Sequence, residues 1–313
     1  MPGIGKAVKN AIRQLLFHPF GYDLVPLEAT HETSMMGAAP PTIQQGSENL
    51  ELYVKWFGEE AVHQRRFYNI GAEAAFMHPA WTKINHPSAH YGDEKLDIAW
   101  DLGSDHPLPI EAGQAKVIFS RYTLEHATTA AVEHFLSEAY RVLSEDGFLR
   151  LIVPDIEIYY AAYLLKDEGF FYRPKHDQKV FPNEDFRSNL NLASFEQKFL
   201  WNFASSSSEL HADGAAEQIS DQEFQRIFTA LSLEDALDHC LSKCSVEVQR
   251  RHPENHINWF SAGKLEAMMR KAGFGTVYRS GYGQSQCAVL RDVQLLENRE
   301  PGVGLFMEGK KGQ

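Results

Sequence analysis

This chain has little cysteine, no long apolar run and no excess of basic charge. Three cysteines in 313 residues are too few for a disulfide framework, so we expect a reducing compartment, the cytoplasm. No apolar run reaches the roughly 18 residues that a transmembrane helix needs. The formal net charge of -12 argues against a nucleic acid as the main partner, because phosphate binding needs clustered lysine and arginine.

What the chain does contain is a series of apolar segments of strand length, separated by stretches with helical spacing. These segments are residues 67–72, 98–102, 117–122 and 149–155. Their alternation with helices predicts an α/β protein with a Rossmann-like, doubly wound, mostly parallel sheet. Such a sheet binds ligands at the carboxyl ends of its strands, so the functional residues should directly follow the strands.

Short motifs follow one another along this region and resume later in the chain. In order, they are Asn69-Ile70-Gly71-Ala72-Glu73, Pro79 to Asn85, Asp101-Leu102 with Leu108-Pro109, Leu124-Glu125-His126, Arg141 to Gly147, Val153-Pro154-Asp155, His256 to Phe260 and Ala272-Gly273-Phe274. The ordered set resembles class I S-adenosylmethionine-dependent methyltransferases, especially the bacterial group associated with polysaccharide and natural-product biosynthesis. The resemblance covers residues 65–160 and 255–310.

Two positions depart from the family pattern. Glu73 stands where the family has the second glycine of its first loop, which makes this glycine loop degenerate. The Glu73 carboxylate either repels the carboxylate of the cofactor or pairs with its ammonium group. Asn85 replaces an acidic residue that accepts hydrogen bonds from the ribose, and it accepts without charge assistance. A non-catalytic binding or partner subunit with the same fold is therefore the alternative function.

The resemblance implies S-adenosylmethionine as cofactor and gives roles to individual residues. It implies that the backbone of Gly71 and Ala72 surrounds the methionine part, that Asn85 faces the ribose, and that Asp101 and Leu102 bracket the adenine. The residue types at the first turn agree, because a glycine after a strand lets the backbone approach a ligand closely. The predicted cofactor-binding residues are Asn69, Gly71, Ala72, Glu73, Asn85, Asp101, Leu102 and Ser120.

The predicted catalytic residues are Arg121, Tyr122 and His126. The first two end the fourth strand and should line the junction between cofactor and methyl acceptor. His126 is our candidate general base, because imidazole titrates near neutral pH and an acceptor hydroxyl or amine must lose a proton. The alternative is structural: Glu125 and His126 begin a helix, and the histidine bonds to the backbone.

One set of histidines and cysteines invites a metal interpretation. The set is His239, Cys240, Cys244, His252 and His256. Its two i, i+4 pairs would each lie on one helical face. The set lacks a close C-x-x-C pair, however, and Pro253 interrupts the second pair. We therefore predict no metal site and interpret the cysteines as small buried apolar groups.

We divide the chain into four parts: an N-terminal extension (1–45), a cofactor-binding Rossmann-like core (46–155), an aromatic-rich helical insertion or lid (156–255) and a C-terminal completion of the core (256–313). Residues 49–63 carry apolar side chains at helical spacing and predict one helix. Residues 4–17 form an amphipathic segment that we expect to pack on protein, contact with a membrane surface being the alternative.

The function predicted from these features is transfer of a methyl group from S-adenosylmethionine to an oxygen, nitrogen or sulfur atom. The predicted partner is a small-molecule or glycan-precursor acceptor, and a homo-oligomer is left open. A nicotinamide-dependent oxidoreductase is disfavoured, because the first turn lacks G-x-G-x-x-G.

Overall fold

The computed structural model describes residues 47–72, 76–86, 96–172, 184–297 and 302–312. Three of the sequence predictions lie outside these residues. They are the N-terminal extension (1–45), the amphipathic segment 4–17 and the role of Glu73.

A seven-stranded sheet forms the centre of the fold. Its strands are β1 (Phe67–Ile70), β2 (Trp81–Asn85), β3 (Ile98–Ala99), β4 (Ala115–Arg121), β5 (Leu143–Pro154), β6 (Thr276–Arg279) and β7 (Gly304–Lys310). Their order is β3-β2-β1-β4-β5-β7-β6. The first five strands in this order are parallel, and β7 runs antiparallel to both β5 and β6. The predicted α/β, Rossmann-like, mostly parallel sheet is confirmed.

The direction in which the sheet grows reverses between β1 and β4. From β1 the chain moves outward to β2 and then β3, and it returns to the other side of β1 with β4. The carboxyl ends of two neighbouring parallel strands thus meet where their connections diverge, which opens a crevice suited to a ligand. β4 and β5 are almost continuously buried, as expected for strands covered on both faces.

Helices cover both faces of the sheet and fill the segment between β5 and β6. They are α1 (Ser47–Phe57), α2 (Glu59–His63), α3 (Thr129–Val142), α4 (Ile156–Leu165), α5 (Glu168–Phe171), α6 (Glu184–Leu192), α7 (Phe195–Trp201), α8 (Asp221–Ala230), α9 (Leu233–Leu241), α10 (Val246–Arg251), α11 (Ala262–Lys271) and α12 (Val293–Leu296). In the described part of the chain, no helix is long and apolar enough to cross a membrane.

The single helix predicted for residues 49–63 is two helices, α1 and α2. Gly58 lies between them with a φ angle of 82°, which breaks the helical path. Apolar residues continue at helical spacing on both sides of Gly58, so the glycine itself is the only signal of the break in the sequence.

Three apolar clusters hold these elements together. One face of the sheet packs Ile118 and Leu149 against Phe135 of α3 and Met269 of α11. A second cluster on Phe67, Val117 and Phe119 includes Tyr53 of α1. The third lies within the helical segment and contains most of its aromatic side chains, among them Tyr159, Phe171, Phe199, Phe203 and Phe224. These aromatics are core, while the predicted division of the chain into four parts stays a prediction.

Candidate functional site

The centre of the candidate site is the contact between the turns that follow β1 and β4. Gly71 adopts a φ angle of 75°, a left-handed conformation that favours glycine. A Cβ atom at Gly71 would lie 2.1 Å from Oγ1 of Thr123, so no larger residue fits here without movement. The Gly71 amide donates to the carbonyl of Ile84 (2.8 Å), and Thr123 Oγ1 donates to the carbonyl of Arg121 (3.0 Å). The two turns therefore approach each other backbone to side chain.

Asn85, at the end of β2, fastens the first turn. Its Nδ2 donates to the carbonyl of Ala72 (3.1 Å), and its Oδ1 accepts from the backbone N–H of His86 (2.8 Å). The amide thus supports the Gly71–Ala72 backbone directly, in addition to the ribose contact that we predicted for it. An aspartate at this position would lack the N–H group that donates to Ala72.

Two predicted cofactor residues are buried in the sheet at the same edge. Asn69 of β1 is aligned with Phe119 of β4 and is 5% exposed. Ser120 of β4 is aligned with Ile70 and is 1% exposed, and its Oγ has no hydrogen-bond partner among the described residues. Buried hydroxyl groups are usually paired, so this oxygen is a candidate ligand contact.

Asp101 and Leu102 follow β3 at the outer end of the same edge. The Asp101 carboxylate accepts from the backbone N–H of Gly103 (2.8 Å), and its second oxygen lies 3.6 Å from Nε2 of His86. Leu102 packs against the main core. The structure thus connects the Asp101 side chain to Asn85 through His86.

The two predicted catalytic residues at the end of β4 differ in conformation. Nη1 of Arg121 donates to the carbonyl of Leu296 in α12 (3.0 Å). Tyr122 has a φ angle of 47°, a strained region for a non-glycine residue, and its backbone N–H donates to the carbonyl of Ile152 (2.8 Å). Strained residues cluster at functional sites. Tyr122 directly precedes Thr123 in the turn after β4 and lies three residues before Glu125.

Beyond this turn, Leu124–His126 form a short 3-10 helix that carries Glu125 and His126. Glu125 is buried, and burial raises the pKa of its carboxyl to about 8. Burial and the neighbouring His256 lower the pKa of His126 to about 3. Nδ1 of His126 lies 3.0 Å from the carbonyl of Asn255, and its ring packs edge-to-face on His256 at 4.8 Å between centroids. At pH 7 the imidazole of His126 is neutral.

The structure also places residues at this edge for which we had predicted no role. Thr123 fills the space beside Gly71, and His256 lies against His126. Arg279 of β6 pairs with the buried Asp155 at 2.8 Å, where β5 ends. Burial outweighs this pairing and raises the pKa of Asp155 to about 6. The motif residues themselves were visible in the sequence, but their partners are far away in the chain.

The histidine and cysteine set considered from the sequence does not converge. His239 is exposed on α9, while Cys240 is buried. His252 lies 3.3 Å from Asp213. Within the described ranges, one member of the set, His256, instead meets two residues from outside it, Glu125 and His126, and these three potential metal ligands do converge.

Residues 57–151 match the family model described as a methyltransferase domain. This match covers β1 to β4 and most of β5, and it includes the turns after β1 and β4 but not Asp155, His256 or Arg279. Over residues 57–151 the chain is therefore similar to methyltransferase domains, whose methyl donor is S-adenosylmethionine, and its seven-stranded, mostly parallel sheet is Rossmann-like. No curated protein matches the chain.

Several solved structures that are similar to this chain at low identity are described as methyltransferases. A methyltransferase from Thermotoga maritima, described as a possible histamine N-methyltransferase, is 13% identical, with a TM-score of 0.35 over 84% of this chain and 97% of that one. One from Archaeoglobus fulgidus is 9% identical, with a TM-score of 0.37 over 85% and 96%. The citrinin polyketide synthase CMeT domain is 10% identical, with a TM-score of 0.34 over 79% of this chain and only 46% of that one. The chain thus spans about half of this last protein. The similarity to methyltransferase domains rests on the family match over residues 57–151 and not on these structures.

Proposed function

We propose that this protein transfers the methyl group of S-adenosylmethionine to an oxygen, nitrogen or sulfur atom of a small molecule or a glycan precursor. The observation that carries the proposal is the Gly71 turn, which lies at the crevice between β1 and β4 inside the matched domain. Its positive φ angle is a feature of a turn that presents backbone to a ligand, and the Thr123 side chain packed against it supports the turn.

The residues at this edge fit the cofactor. The backbone of Gly71 and Ala72 is suited to the methionine part, because neither of these two residues carries a large side chain. The Oγ of Ser120 is buried and lacks a partner in the described part of the chain, so it is available for a hydrogen bond to a ligand. Asn85 holds the turn in place through its hydrogen bond to Ala72. Asp101, which lies beside His86, is the residue that we propose to contact the adenine.

The bound cofactor supplies a methyl group on a positively charged sulfur. As the bond from the methyl carbon to the acceptor atom forms, the bond to sulfur breaks, the acceptor loses its proton, and S-adenosylhomocysteine is released. The protein contributes mainly by aligning the three atoms. His126 is our proposed proton acceptor, with its Nδ1 proton directed to the carbonyl of Asn255 and the lone pair on Nε2.

Further features of the proposal rest on the sequence. The ordered motifs favour the group associated with polysaccharide and natural-product biosynthesis, and the low cysteine content favours the cytoplasm. The helical segment 156–255 follows β5 at the carboxyl edge and is our candidate wall for the acceptor.

Methyl transfer from labelled S-adenosylmethionine to a panel of hydroxyl, amine and thiol acceptors tests the function. We expect labelled product and an equal amount of S-adenosylhomocysteine with one acceptor class. His126→Ala should then lower kcat by roughly 10²-fold while cofactor affinity stays unchanged, because a base acts on the proton only in the transition state. Cofactor binding without transfer to any class would favour the non-catalytic alternative.

A further inference from the structure

Glu125, His126 and His256 come together from two distant parts of the chain. The first two lie on the 3-10 helix after β4, and His256 lies in the segment that precedes α11. The backbone N–H of Ile257 donates to the carbonyl of Glu125 (2.8 Å), which joins the two segments. One carboxylate oxygen and one ring nitrogen of each histidine all lie within 4.8 Å of one another. We call these three residues the histidine cluster.

The backbone sets the tautomer of both histidines. Nδ1 of His126 lies 3.0 Å from the carbonyl of Asn255, and Nδ1 of His256 lies 2.8 Å from the carbonyl of Asn202. A carbonyl oxygen only accepts, so each Nδ1 carries the proton in the neutral ring and each Nε2 carries the lone pair. In metal-binding histidines, one ring nitrogen usually binds the metal while the other donates its proton to a carbonyl or carboxylate.

The surroundings of the histidine cluster contain buried oxygen atoms with unused acceptor capacity. Within the described ranges, Oε2 of Glu125, Oε1 of Gln249 and Oδ1 of Asn255 have no hydrogen-bond partner. All three belong to one network: Nε2 of Gln249 donates to the carbonyl of His126 (3.2 Å), and the carbonyl of Asn255 contacts the His126 ring. Glu125 itself is 1% exposed. A buried carboxyl oxygen without a partner is costly, and a bound cation would displace the carboxyl proton and pair with the resulting carboxylate.

We propose that Glu125, His126 and His256 bind a divalent transition-metal cation of the Zn²⁺ type. Two imidazole nitrogens and one carboxylate form an established donor set for such ions. Bond lengths of about 2.0–2.2 Å place tetrahedral ligand atoms about 3.4 Å apart, so binding draws the three side chains together by up to about 1.5 Å.

The cation has a defined consequence for the fold and for the proposed chemistry. It cross-links the turn after β4 to the segment before α11, two parts of the chain that are otherwise joined by hydrogen bonds. It also occupies the Nε2 lone pair of His126, so the proposed role of His126 as proton acceptor, and the kcat expected for His126→Ala, apply to the metal-free protein. This inference goes beyond the proposed function and does not depend on it.

Calorimetric titration of the chelator-treated full chain with ZnCl₂ tests the site. We expect one Zn²⁺ per chain, with an affinity that falls by at least about 100-fold in Glu125→Gln and in His256→Gln. His239→Ala is the matched control, because His239 is exposed and belonged to the set that does not converge. Its affinity should equal that of the wild type, and binding of Co²⁺ should give visible absorption that the two cluster variants lack.

Circular dichroism and titration with S-adenosylhomocysteine accompany each variant, so that loss of folding and loss of the cofactor site are separately visible. Absence of stoichiometric Zn²⁺ binding by the folded wild type would overturn the proposal and leave a buried water as the partner of these oxygens. Equal Zn²⁺ affinity in His256→Gln and the wild type would also overturn it. Neither result alters the expectation for the cofactor.

Discussion

Two buried polar clusters lie on or near β5, and they differ in whether a cation pairs with their carboxyl groups. The first is Arg150 with Glu297 and Glu308, which we call the arginine cluster; all three are at most 1% exposed. Both terminal nitrogens of Arg150 contact a carboxylate and also donate to further oxygens, among them Gln284 O (2.7 Å) and Gly281 O (3.0 Å). The second is the histidine cluster, in which Oε2 of Glu125 has no partner among the described residues.

The difference separates a structural role from a ligand-binding role. The arginine cluster ties β5 and β7 to the loop after β6, and its carboxylates are matched by a cation and by neutral donors such as Ser285 Oγ (3.0 Å) and the Gly283 N–H (2.7 Å). Removing one member leaves the others buried and unpaired. The histidine cluster has no such internal cation, so its acceptors remain for a ligand.

The largest expected effect is on the arginine cluster. Arg150→Met should lower the free energy of unfolding by about 3–5 kcal/mol, because two buried carboxylates lose their cation. Denaturant unfolding measures this loss. Arg270→Met is the control: Arg270 makes an exposed i, i+4 pair with Glu266, and its loss should cost less than about 1 kcal/mol. Equal costs for the two variants would contradict the comparison.

Asp155 is intermediate between the arginine cluster and the histidine cluster. Its carboxyl is buried and pairs with one cationic side chain, that of Arg279. Its folded-state pKa of about 6 exceeds the ordinary value of 3.8, so the folded protein holds the proton more tightly. This contribution to stability is complete below about pH 4 and is lost as the pH rises through 6. Between pH 4 and pH 7, the wild type should lose about 2–3 kcal/mol more than Asp155→Asn.

Unfolding free energies of both proteins at the two pH values measure this difference. Asparagine keeps the helix-capping acceptor that Asp155 offers to the N–H of Glu157, so the variant should fold. A wild type that instead gains stability relative to Asp155→Asn toward pH 7 would mean that the pair with Arg279 outweighs burial.

The smallest expected effect concerns the Oγ atom of Ser120. It tests whether this hydroxyl serves internal hydrogen bonding or ligand binding. Ser120→Ala removes a buried hydroxyl that lacks a partner in the described chain, so stability should stay equal or rise by up to about 1 kcal/mol. Affinity for S-adenosylhomocysteine should fall by about 3- to 10-fold if Ser120 contacts the ligand. Thermal unfolding and calorimetry measure the two effects. A loss of stability would show that the Ser120 hydroxyl makes a stabilising hydrogen bond within the folded protein.

The sheet was predictable because its strands are continuous apolar runs, the pattern expected of strands that are buried on both faces. β4 and β5 carried this signal, and Gly71 marked the turn after β1. β3 was predicted to be longer than its two residues, Ile98 and Ala99, because an apolar run does not record where backbone pairing stops.

The contacts that complete the site were not predictable. His126 and His256 are 130 positions apart, and no local spacing encodes their approach. Arg150 lies inside an apolar strand, which signals a buried charge but does not name Glu297 or Glu308 as partners. A single sequence shows periodicity and turn chemistry, whereas long-range pairing depends on the assembled fold.

Calorimetric titration with S-adenosylhomocysteine tests most directly whether the crevice beside Gly71 is the cofactor site. We expect one ligand per wild-type chain and a loss of affinity of at least about 100-fold in Gly71→Ala, whose Cβ would meet Thr123 at 2.1 Å. Gly113→Ala is the matched control, because Gly113 has nearly the same φ angle, 74°, with no atom within 4 Å of its added Cβ. It should bind like the wild type. Absence of binding by the folded wild type, or equal affinity in Gly71→Ala, would contradict the assignment.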